Sequence, residues 1–143
     1  MIIITGNLDI LRTEITSLFN MAIFIKSPSI IQAAGSGNKI IQEYFGHVNS
    51  NTSEVSIAHM KSPEGWIEPG QRPEFNEYTV VLKGRLKITV KNGEFVVNEG
   101  QAIMTEKDEW VQYSTPFDGG AEYIAVCLPA FSPDTVQRDD DFS

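Results

Sequence analysis

From residue 21 onward the chain is cut into short runs of alternating or wholly apolar residues, each closed by a turn. This rhythm limits the fold more than any other feature. The runs are Ala22–Ile25, Ser29–Gln32, Ile40–Phe45 and Glu54–Met60, then Glu77–Leu82, Leu86–Val90, Glu94–Val97, Ala102–Thr105, Glu109–Thr115 and Glu122–Leu128. Turn residues separate them: GSGN at 35–38, NSNTS at 49–53, EPGQRP at 68–73, KNG at 91–93 and DGG at 118–120. Asn92-Gly93 between two strand-like runs is a strong hairpin signal. A series of short strands without intervening helices must bury one face of each strand, which leaves a β-sandwich or barrel. No internal repeat, low-complexity tract or linker divides the series.

The first twenty residues follow another rule. Leu8, Leu11, Ile15 and Leu18 recur at helical spacing, and Asn7 is placed to cap the start. The spacing predicts a short amphipathic helix over 8–19. Met21 then opens a fresh segment, so 1–20 is expected to be an extension of a single domain over 21–143, with Met21 as the native start. A peptide from residues 1–20 in the native protein, seen by mass spectrometry, would overturn that start. The tail from Arg138 to Ser143 is acidic and is expected to fray.

Charge and composition remove several function classes. The chain of 143 residues carries 19 acids against 11 bases, a formal net charge of -8. That balance argues against nucleic acid and against anionic lipid as partners, since both need a concentrated basic surface. No apolar run approaches the roughly 20 residues that span a bilayer. The N-terminus also lacks the basic start and cleavage site of a secretory signal. A cytoplasmic location is therefore expected. Cys127 stands alone, so no disulfide forms within the chain, and a buried core role is expected for it.

The stretch from Gly65 to Gly84, GWIEPGQRPEFNEYTVVLKG, resembles the first motif of the cupin superfamily. Gly65, Glu77 and Gly84 occupy the motif's glycine, glutamate and glycine without a gap, while Gln71 and Pro73 stand where it has two histidines. The second motif starts at Gly100. Its proline, glycine, histidine and asparagine positions hold Glu106, Asp108, Val111 and Thr115. Glu68–Gly84, Glu109–Pro116 and Glu122–Val136 also look like stretches shared by small single-domain bacterial cupins of unassigned function. A weaker similarity links the chain to the ethanolamine-utilisation Q-type cupins, which have likewise dropped the histidines. The resemblance implies an all-β fold, a cupin-type double-stranded β-helix or jelly-roll barrel, here with the short N-terminal helix in front.

Alternate residues of a strand share a face. If Glu77 points into the barrel, so do Thr79 and Val81, while Tyr78, Val80 and Leu82 lie outside. Gln71, Pro73 and Phe75 have the parity of Glu77. On the later strand the inward set is Glu109, Val111, Tyr113 and Thr115, and on the earlier one Val55, Ile57 and His59. A buried carboxylate must be paired, hydrogen-bonded or neutral. Glu77, His59 and Tyr113 are therefore the candidate acid–base groups, and Gln71, Trp66, Phe75 and Val111 the candidate ligand contacts. Both tryptophans, Trp66 and Trp110, also suit a barrel end or an interface. Arg138 is placed to pair with a carboxylate and hold the tail.

Three functions follow. The first is a pocket without metal or other cofactor that binds a small polar metabolite and acts on it as an isomerase or lyase through Glu77. The second is a remodelled metalloenzyme, with His59, Glu77 and Tyr113 offering one nitrogen and two oxygens to a transition metal. The third is a non-catalytic dimeric binding or assembly module. The resemblance to cupins implies a homodimer, with Ala22–Ile25 as the pairing strand. Whether the chain is an enzyme stays open at this point.

Overall fold

A computed structural model describes residues 22–140. The helix expected over 8–19 lies outside the described residues. Nine strands follow in order: β1 (Ser29–Ile31), β2 (Ile40–Phe45), β3 (Ser56–Ser62), β4 (Trp66–Ile67), β5 (Asn76–Val90), β6 (Gly93–Asn98), β7 (Ala102–Thr105), β8 (Val111–Thr115) and β9 (Ala121–Leu128). Every pairing is antiparallel. There is no helix among the described residues, and hence none long and apolar enough to cross a membrane.

The two runs Glu77–Leu82 and Leu86–Val90 are one bent strand, and that bend closes the barrel. The first half of β5 pairs with β7 and β9, the second half with β6 and β8. Gly84 sits at the changeover with φ +73°, and a Cβ there would run into the carbonyl oxygen of Gly120. Glycine is what lets the strand turn from one sheet to the other at this close approach. One sheet runs β1-β2-β3-β9-β5-β7 and the other β6-β5-β8-β4. The result is a jelly-roll barrel. The second motif leaves a backbone signature as well: Asp108, standing where the motif has a glycine, keeps a left-handed φ of 68°. Aspartate is one of the few residues that take this conformation at low cost.

Side-chain parity in β5 follows the expected pattern. Thr79 and Val81 are buried, while Tyr78, Val80 and Leu82 are exposed on the outer face. Gln71, Pro73 and Phe75 are buried. In β8, Val111, Tyr113 and Thr115 are buried, but Glu109 is exposed because the strand starts two residues later than its run. Three further expectations fail. Ala22–Ile25 is not a strand, and Ile23 and Phe24 stand exposed, so β1 is the first strand among the described residues. In β3 the inward residues are Ser56, Ala58 and Met60, so Ile57 and His59 face outward. The apolar alternation at 55–59 misleads because the outer face carries apolar residues too. Finally, Arg138 and Asp139 are not frayed.

The segment after β9 is fastened along residues 70–74. Glu74 N–H donates to the Thr135 carbonyl at 2.9 Å, Arg72 N–H to Gln137 at 3.0 Å and Asp139 N–H to Gly70 at 2.8 Å. The Trp110 indole N–H donates to the Asp139 carboxylate at 2.9 Å. A Cβ on Gly70 would strike Trp110 and Asp139, so this glycine admits the strap. Two apolar clusters fill the barrel. The larger holds Trp66, Val81, Leu86, Ile88, Val97 and Val111 with Tyr113 and Tyr123. The smaller is Phe75, Cys127 and Val136, with Phe131 against it.

Candidate functional site

A cavity of about 70 Å³ lies between the two clusters. Its origin can be read from the strand registers. Across β3, β9, β5 and β7 one row reads Ser56, Cys127, Glu77, Thr105, and the next inward row reads Ala58, Ala125, Thr79, Ile103. Small side chains in the middle of both rows leave space that Leu or Phe would have filled. A row further on, Met60, Tyr123 and Val81 close that end. The segment 32–39 forms another wall. It is pinned to β4 by Ser36 N–H donating to the Ile67 carbonyl at 3.0 Å and by the Trp66 indole N–H donating to Ala34 at 3.1 Å.

The polar lining is dense for so small a space. Glu77 accepts the Cys127 thiol S–H at 3.3 Å. Tyr113 shares a 2.8 Å hydrogen bond with Thr105 and faces the Glu77 carboxylate. Burial, and then the Glu77 charge, hold the Tyr113 phenol well above its ordinary range. The same two causes raise the Cys127 thiol, so it stays protonated and is no nucleophile. Glu68 is 7% exposed, and burial pushes its carboxyl up to about 7. Lys39 and Arg138 oppose that rise, and Glu77 adds to it. Burial works against the charged form of Lys39, yet Tyr123, Glu68 and Glu77 together hold its ammonium above the usual value. Lys39 lies 3.8 Å above the Trp66 ring.

Of the residues singled out from sequence, Glu77, Tyr113, Gln71 and Phe75 meet around this cavity. His59 does not. Its Nε2 stands 3.3 Å from the Glu122 carboxylate on the outer face, in a contact without hydrogen-bond geometry. Trp66 and Val111 belong to the larger apolar cluster and do not line the cavity. Val111 instead fixes Gln71, since each donates its N–H to the other's carbonyl at 2.9 Å. Sequence reasoning missed Lys39, Glu68 and Tyr123, and it gave Arg138 only the task of holding the tail, whereas Arg138 lines the cavity. Tyr123 alternates with Ala121, Ala125 and Cys127 along β9 and could have been found by parity. Lys39 precedes its strand and Arg138 lies on the strap, so neither carries a strand signal.

The cupin superfamily brings a metal to mind, and the donors here do not suit one. Histidine is absent from the cavity lining, and its three carboxylates, Glu43, Glu68 and Glu77, share the space with an ammonium and a guanidinium, Glu43 already accepting the Val48 and Asn49 N–H groups. His59, Glu77 and Tyr113 do not converge. No group of three or more metal-ligating side chains occurs among the described residues.

No family model matches the chain. A curated relative, the endoribonuclease YbeY of Myxococcus xanthus (strain DK1622), is 38% identical over 101 residues, 71% of this chain and 34% of the relative. The chain thus spans about a third of that protein's length. Among solved structures, the polyketide cyclase RemF of Streptomyces resistomycificus superposes with a TM-score of 0.66 at 12% identity, over 87% of this chain and 88% of its own. The Clostridium difficile EutQ protein superposes with a TM-score of 0.54 at 22% identity, over 64% and 63% respectively. These are cupin-type proteins, and the chain has the cupin fold. The motif resemblance at Gly65–Gly84 is thereby matched by the architecture.

Proposed function

We propose that the protein binds a small polar metabolite in the barrel and acts on it, without a metal, by moving protons as an isomerase or lyase. One observation carries this reading: a small cavity inside the barrel whose lining brings together Glu43, Glu68, Glu77, Lys39 and Arg138. Charges kept inside a protein are a poor source of stability, because an apolar filling of equal volume does as well or better. Their retention is explained by a polar occupant. Glu68, with a carboxyl that titrates near neutrality, suits proton exchange at pH 7, and Glu77 supplies a second carboxylate. Tyr113 stays a neutral phenol and serves as a hydrogen-bond donor to a developing oxyanion.

Isothermal titration against a panel of small polar metabolites tests this. Micromolar to millimolar binding that is lost in Ala125→Leu, whose larger side chain fills the space, is the expected result. Absence of any heat across the panel would sink the reading. The endoribonuclease activity named for the Myxococcus relative is not carried over, because a chain of net charge -8 is a poor partner for RNA phosphates. Tyr78 and Met104, paired across β5 and β7, and Val80 beside them expose apolar surface on the outer face. That face supports a homodimer, and a single-chain mass of 15.9 kDa by light scattering would refute it.

A further inference from the structure

Two side chains of the cavity are left with unmet hydrogen-bonding needs. Gln71, 4% exposed, buries an Oε1 that no group among the described residues satisfies. Arg138 buries an Nε–H in the same condition. The two residues are bridged backbone to backbone, so these atoms belong to one corner of the cavity. Buried orphans of this kind are costly unless something meets them. An orphan beside an orphan, both lining a cavity, points to a ligand that meets both.

We propose that this corner is the recognition site for a small 2-hydroxycarboxylate, with Arg138 holding the carboxylate and Gln71 the neighbouring hydroxyl. The proposal rests on the pocket reading above and names its substrate class. Arg138 is the cation available to an anion. Neither Lys39 nor Arg138 forms an ion pair among the described residues, but Lys39 lies 3.8 Å over the Trp66 ring, whereas Arg138 stands 6.0 Å from the Phe131 ring and keeps an unmet Nε–H. The Nε edge of a guanidinium matches a planar carboxylate. A hydroxyl is the right neighbour because it both donates and accepts, so it satisfies either end of the Gln71 amide. A phosphate dianion is the wrong ligand, since it would bring two charges beside Glu68 and Glu77. A neutral amide would leave Arg138 without a counter-charge.

The strap has a role in this scheme. It delivers Arg138 through the backbone bonds at Gly70, Arg72 and Glu74, so recognition depends on the segment beyond the last strand. The test is calorimetry of the full chain with L-lactate, glycolate and glycerate, set against propionate, lactamide and inorganic phosphate. Binding of at least one hydroxycarboxylate is expected, at least tenfold tighter than propionate, lactamide or phosphate. Arg138→Gln should lose tenfold or more, Arg138→Lys less, and Gln71→Leu should bring the hydroxycarboxylate down to propionate. Thermal unfolding of each free variant shows whether the strap has stayed docked. A control variant on the same strap, Gln137→Ala, should leave affinity within twofold. Lactamide or phosphate binding as well as lactate, or unchanged affinity in a folded Arg138→Gln, would overturn the assignment and leave the pocket reading standing. No binding by any of the six compounds overturns the assignment as well, and a wider panel of polyols and amines then decides the pocket reading separately.

Discussion

Replacing Glu68 by glutamine should remove a pH-dependent loss of stability that is peculiar to this interior. Glu68 titrates near 4.5 when unfolded and near 7 when folded, chiefly because burial penalises its charge, with Glu77 adding to that and Lys39 and Arg138 holding it back. Between those values the folded chain keeps a proton that the unfolded chain has lost. Stability is therefore complete below about pH 4.5, falls as pH rises, and levels off above about pH 7. A difference of about 2.5 pKa units corresponds to roughly 3 kcal/mol of order-of-magnitude loss. In Glu68→Gln this contribution vanishes, because the amide is neutral throughout. Urea unfolding at pH 4.5 and pH 8 on both proteins reads it directly. With a slope of about 2 kcal/mol/M, the wild type should lose roughly 1–2 M more in midpoint than the variant. Parallel losses in the two proteins would refute the reasoning, because they would place Glu68 in a solvated setting or hold it charged by its cations.

Other perturbations separate the cavity from the scaffold. Ala125→Leu fills the space beside Thr79 and should abolish ligand binding at a stability cost of at most about 3 kcal/mol, measured by calorimetry and urea unfolding. His59→Ala removes an outward-facing group and should change stability by less than about 1 kcal/mol, with ligand affinity unmoved. Leu86→Ala, at a fully buried position of the larger cluster, should cost about 2–5 kcal/mol in the same unfolding assay. Gly84→Ala combines a left-handed backbone with a blocked approach to Gly120, so a loss above about 2 kcal/mol is expected.

The fold was legible because jelly rolls are written in local signals. Strand runs, turn clusters and the gap-free spacing of Gly65, Glu77 and Gly84 each report on residues close together in the chain. Asp108 shows how far that reaches: it stands where the resemblance expects a glycine, and its backbone takes the left-handed φ that glycine favours. The site was legible only where strand parity reaches. Glu77 and Tyr113 each follow from the alternation of one strand, as did the outward turn of Tyr78 and Val80, and Phe75 keeps the parity of Glu77 just ahead of β5. His59 went the wrong way because both faces of β3 carry apolar residues, and a period of two then fixes the alternation without saying which set is inside. Neighbouring strands decide that, and the decisive facts are the pairings of Ala58 with Ala125 and of Ser56 with Cys127. Small residues opposite small residues make a void, and a void beside Glu77 needs counter-charges from wherever the chain can bring them. Here they arrive from the approach to β2, as Lys39, and from the strap, as Arg138. Both lie in segments whose conformation is set by what they dock on, so no pattern internal to them announces the role. The charge balance of the cavity is thus a property of tertiary contact, and the small-residue rows of β3 and β9 are the feature of the sequence from which it could have been anticipated.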